Sequence, residues 1–130
     1  MKKNMARSVL FTMVETMIKV VNIKQHNPNN EYAVYMLDCE INDAKVTNIN
    51  VLIVVHGYGS HGVGGLIKTS TMQYLKNARK QGVIVDFVPG EFWCDTNEVK
   101  VQMCRLYPEL ILNNNLNFLN SGVSVVWVKK

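Results

Sequence analysis

The sequence predicts an α/β two-layer sandwich: a mixed four-stranded sheet of the βαβαββ type, with a helical insert before the last strand. Three observations predict it. Short β-branched runs alternate with stretches of helical apolar spacing, which is the pattern of strand–helix units. The run Val51–Val55 is apolar throughout, as expected of a strand covered on both faces. A chain of 130 residues matches one domain of roughly 100–200 residues, and 48% apolar with 18% charged residues is an ordinary globular mix.

The elements follow in order. Residues 1–17 are read as an N-terminal extension and 18–130 as the domain. Ile18–Lys24 is the first strand, ended by Gln25–Asn30 with Pro28. Asn27 is the expected cap of a helix over about 29–46, with Pro28 in its first turn and Val34, Leu37, Ile41 and Ala44 at helical spacing. Val51–Val55 is the central strand. A second helix is expected over Leu66–Gln81, with Ile67, Thr71, Tyr74, Leu75 and Ala78 on one stripe and Lys68, Lys76, Arg79 and Lys80 opposite. Gly82 stops it, Val83–Val88 forms the third strand before Pro89-Gly90, and Val123–Val128 forms the last. Residues 94–120 are too long for a plain loop and apolar enough to pack, so one or two helices are expected there, interrupted at Pro108.

Composition narrows the function classes. Cys39, Cys94 and Cys104 are odd in number and lack C-x-x-C spacing, which argues against a disulfide framework and a thiolate zinc site and for reduced thiols in a cytoplasm. The apolar stretch Val9–Val14 is broken by Thr12 and stopped by Glu15, short of a signal or membrane-spanning segment, so no membrane partner is expected. The net charge of +4 is unevenly spread. From Ala44 through Val85 there is no Asp or Glu, while Lys45, Lys68, Lys76, Arg79 and Lys80 give +5; the other nine cations face ten acids, leaving −1. Such a block either favours a polyanion or is simply a solvated face of the fold.

That block contains His56-Gly-Tyr-Gly-Ser-His-Gly-Val-Gly-Gly65, with five glycines in the nine positions from Gly57 to Gly65. A glycine-rich turn between a strand end and a helix start gathers backbone N–H groups and the positive end of the helix dipole around one spot, which suits an anion. Glycines stand where a helix would take a capping Ser, Thr or Asp. Lys68 in the expected first turn opposes the dipole unless a phosphate sits there. His56 and His61 add donors, bases or metal ligands. Familiar motifs fail on spelling. Gly65 stands where a Walker A loop needs lysine, and Tyr58 replaces the first glycine of a nucleophile elbow around Ser60. Gly57-Tyr-Gly-Ser-His-Gly62 spells a dinucleotide fingerprint, but without the acid expected ~20 residues later.

Val54-Val-His56-Gly57-Tyr58-Gly59, the following glycines, Leu66-Ile67-Lys68, Val88-Pro89-Gly90 and Gly122-Val-Ser-Val-Val126 together resemble the Smr (small MutS-related) domain, over roughly 18–130. The resemblance implies a βαβαββ fold similar to the C-terminal domain of bacterial translation initiation factor three. It also implies binding of DNA or RNA, with metal-assisted nicking or cleavage in several members. Where that family opens with L-D-x-H-G, this chain reads Val21-Asn22-Ile23-Lys24-Gln25. An amide and a protonated amine cannot take the roles of a carboxylate and an imidazole. Tyr58 stands where the family often has Lys, offering a ring that can stack on an unpaired base.

Three functions are therefore weighed. The first is a nucleic-acid grip in which Gly57, Tyr58, Gly59, Gly62, Gly64, Gly65, Lys68, Lys76, Arg79 and Lys80 hold phosphates. The second is a nuclease with His56 and His61 as catalytic groups and a divalent metal such as Mg²⁺ or Mn²⁺. Of the acids Asp38, Asp86, Glu91 and Asp95, only Glu91, just beyond the third strand, is expected at a sheet end. The third is a protein-interaction or oligomerisation domain working through 94–120, with Phe92, Trp93, Tyr107 and Phe118 either as anchors or as core packing.

Overall fold

The computed structural model describes residues 17–58 and 63–130. The α/β class and the mixed four-stranded sheet are as expected. The strands are β1 (Ile18–Asn22), β2 (Val51–Val55), β3 (Asp86–Pro89) and β4 (Val123–Trp127). Their order is β1-β2-β4-β3, with β1 parallel to β2 and β4 antiparallel to both β2 and β3. β1, β2 and β3 therefore all point the same way, and their carboxyl ends gather at one end of the sheet.

Two helices cover one face: α1 (Asn30–Lys45) and α2 (Val63–Lys80). Leu37, Ile41, Leu75 and Ala78 from these helices pack on Leu52, Val54, Phe87 and Val126. Tyr74 O–H on α2 donates to Asp38 Oδ1 on α1 at 2.5 Å and ties the two together. Because successive strand residues point to opposite faces, Val51, Ile53, Val125 and Trp127 face the other way. There the insert closes the second face of the sheet with α3 (Glu98–Leu106) and two 3₁₀ turns at Pro108–Leu112 and Asn114–Leu116. Met103, Tyr107, Leu110 and Leu116 supply its core, and the Tyr107 ring meets Trp127 edge-on at 6.4 Å. The break expected at Pro108 is present. The proline lacks an N–H and opens the 3₁₀ turn, where none is needed.

Several boundaries differ from the sequence reading, each for a local reason. α1 is capped by Asn29, whose side chain accepts from Tyr32 N–H at 2.8 Å, and not by Asn27, which adopts φ +50° in the preceding turn. α2 begins at Val63, three residues before the expected start. Gly64 and Gly65 are thus helical rather than part of a loop, and Lys68 lies in the second turn. At the other end, Gly82 (φ +75°) closes α2: Val83 N–H bonds Ala78 O and Gly82 N–H bonds Arg79 O, the paired bonds of a Schellman cap. β1 ends at Asn22, not Lys24, and β3 starts at Asp86, not Val83.

Candidate functional site at the carboxyl ends of the parallel strands

In α/β sheets, ligand sites form beyond the carboxyl ends of parallel strands, where helix N-termini also point. Here that end collects residues after β1, β2 and β3 together with the start of α2. Asn22 pairs with Val55 in the β1–β2 register, so two residues on, Lys24 comes opposite Gly57. The contact is close: a Cβ at Gly57 would lie 3.2 Å from Lys24 Cδ. Gly57 has φ +77°, a conformation that glycine adopts without the Cβ penalty, so the residue both turns the chain and makes room for the lysine stem.

His56, one residue past β2, is completely buried. Its Nδ1 is 2.7 Å from Gly57 O and its Nε2 2.9 Å from Ser124 Oγ. A carbonyl can only accept, so Nδ1 carries the proton and Nε2 accepts from the serine hydroxyl. Burial favours the neutral ring and holds the imidazole below its usual pKa, with the Lys68 ammonium adding to this and the Gly57 carbonyl and Glu91 carboxylate opposing it. Both nitrogens are engaged and neither faces solvent. In this arrangement the imidazole joins the end of β2 to β4, with both of its nitrogens occupied.

The loop amides are also partly occupied. His56 N–H and Gly57 N–H both bond Gly122 O, at 3.0 and 2.9 Å, which removes the Gly57 amide from the donors expected to hold a phosphate. Gly122 in turn carries the Tyr58 ring, since a Cβ there would be 2.9 Å from Tyr58 Cδ1. Tyr58 stays 64% exposed, as a stacking residue must. Gly59, His61 and Gly62 lie outside the described residues.

Lys68 reaches back from α2 toward the end of β3. Its Nζ is 2.6 Å from Glu91 Oε2 and 2.9 Å from Ser121 O. The other carboxylate oxygen, Glu91 Oε1, is buried without a hydrogen-bond partner among the described residues. Further along α2, Arg79 pairs with Asp86 at 3.2 Å and lies over the Phe87 ring, while Lys76 and Lys80 are exposed and make no ion pair among the described residues.

Among the described residues the arrangement offers no ligand set for a divalent cation. Asn22 Oδ1 is taken by Lys24 N–H at 3.0 Å, the His56 Nε2 lone pair is taken by the Ser124 hydroxyl, Glu91 is matched by Lys68, and the Lys24 and Lys68 ammonium groups border the site. Among the described residues no three His, Cys, Asp or Glu side chains are grouped to hold a metal. The aromatic anchors expected in and beside the insert divide: Trp93 and Tyr107 are core, whereas Phe92 and Phe118 are exposed.

In the sequence Lys24 stands out only as a departure from the family's first-strand motif and Ser124 only within the last-strand match, not as neighbours of the glycine turn. Both are placed by strand register, which no spacing along the chain displays. No family model, curated protein or solved structure matches the chain.

Proposed function

We propose that the chain is a nucleic-acid-binding domain of Smr-like type, gripping phosphates of DNA or RNA rather than cleaving them. One observation carries this reading. Lys24 lies against Gly57, so a second cation borders the glycine turn beside Lys68 at the end of the sheet where α2 begins. Helix N-terminal amides together with flanking ammonium groups are a phosphate-binding combination. Lys76 and Lys80 extend the positive side along α2, within a segment that carries no acid. Cleavage is not part of the proposal, because among the described residues both His56 nitrogens are engaged and no metal-ligand set is grouped.

Contacts of this kind go to the backbone, so affinity falls steeply with salt, by a log–log slope of about −0.7 to −0.9 for each phosphate contacted. Anisotropy titrations of labelled oligonucleotides over a salt series test this. A steep slope, reduced in Lys24→Ala and in Lys76→Ala with Lys80→Ala, is expected; no binding at low salt, or binding indifferent to salt, overturns it.

Among the described residues no helix is long and apolar enough to cross a membrane. We place the domain in the cytoplasm, a reading supported by three cysteines that form no disulfide.

A further inference from the structure

A groove of about 460 Å³ runs from Lys68 and Glu91 along α2, between that helix and the outer edge of β3. Met72, Phe87 and Val99 supply apolar surface to its wall and floor, Phe92 is 59% exposed at its lip, and Lys76 and Arg79 line the helical side. Its size lies within the range of roughly 300–1,000 Å³ typical of small-ligand pockets, so it admits a nucleotide but not a double helix. A duplex backbone would need only the cations. An aromatic ring left open to solvent beside apolar side chains suits the flat face of an unpaired base.

We propose that this groove is a subsite for single-stranded nucleic acid, in which a base stacks on Phe92 and its phosphate meets Lys76. The inference rests on the phosphate-binding reading above and deepens it, since Lys68 and Glu91 belong to both the groove and the sheet-end site. An acidic peptide is the competing occupant, and the strand edge argues against it. A peptide adding to β3 would need backbone donors there, but Phe87 N–H is held by Asp86 Oδ1 at 2.8 Å and Pro89 has no N–H. A base needs no such donors.

The test uses the full chain, a labelled oligothymidylate and a labelled self-complementary duplex at low salt. Phe92→Ala is expected to weaken the single strand by about tenfold or more, as for loss of one base–aromatic stack. Duplex affinity stays within about twofold, and Phe92→Trp restores the single-strand affinity. Phe92 is exposed, so its removal leaves the core intact and circular dichroism should be unchanged. Equal effects on both substrates, or none on either, overturn the subsite while leaving the phosphate grip standing. Failure of both substrates to bind the parent chain overturns both readings. Competition by a polyglutamate peptide that itself requires Phe92 overturns the subsite in favour of an acidic peptide.

Discussion

Ser124 Oγ lies 2.9 Å from His56 Nε2, a buried hydrogen bond that joins the end of β2 to β4. With Nδ1 bound to Gly57 O, the ring is fully satisfied in its neutral form. Ser124→Ala removes the donor and leaves Nε2 buried without a partner, a loss of about 1–3 kcal/mol. Urea unfolding followed by the fluorescence of the buried Trp93 and Trp127 reads it. Unchanged stability would mean that the serine contributes nothing to this end of the sheet.

The same burial makes stability depend on pH. His56 titrates below its usual value of 6.5 in the folded protein, so between 6.5 and that lower value the unfolded chain binds a proton that the folded chain refuses. His56 thus contributes no pH penalty above this window and a growing one as pH falls through it, by up to about 1.4 kcal/mol per pH unit. Denaturation midpoints from about pH 7.5 down to about pH 5 should fall more steeply for the parent than for His56→Asn, which cannot titrate. Parallel slopes would show that His56 is not the group responsible.

How far these features are legible in the sequence depends on whether they are local. Val51–Val55 reads as a covered strand because every residue is apolar, and Gly82 reads as a helix stop because its conformation is a property of one residue and its neighbours. Gly64 and Gly65 mislead for the same reason. As letters they extend a loop, yet the first turn of α2 tolerates them because α2 packs through Ile67, Thr71 and Leu75, further along. Lys24 is the opposite case. Read along the chain it is a departure from a motif; read across the β1–β2 register it is the cation beside Gly57. Register and the closing of the insert over the second face are long-range outcomes, and no window of sequence contains them.

Gly90 shows how tightly the insert is closed. A Cβ there would lie 1.8 Å from Asn120 O and 2.8 Å from Val123 O, both backbone atoms at the return of the insert into β4. The need is space, not dihedral freedom. Gly90→Ala must push these segments apart, and a loss of about 3 kcal/mol or more is expected by thermal or urea unfolding. Gly65→Ala is the control: a Cβ there meets nothing within 4 Å, and alanine favours the helix by about 1 kcal/mol. If both variants behaved alike, the tight approach at Gly90 would be refuted.

Glu91 sets the charge that Lys68 can offer. Its carboxylate sits 2.6 Å from the ammonium, both groups are partly shielded from solvent, and an incoming phosphate must compete for the same amine. Glu91→Gln keeps the shape and removes the charge. Oligonucleotide affinity should rise severalfold at low salt, and the salt dependence should steepen by about 0.7–0.9, the contribution of one additional phosphate contact. Lys68→Ala alone should lower affinity less than Lys68→Ala introduced into Glu91→Gln, because only in the second background is the ammonium unpaired. Anisotropy titrations of the parent and the three variants over one salt series measure both quantities. An unchanged slope in Glu91→Gln would show that Lys68 does not meet phosphate and would confine the grip to Lys24 and the outer face of α2.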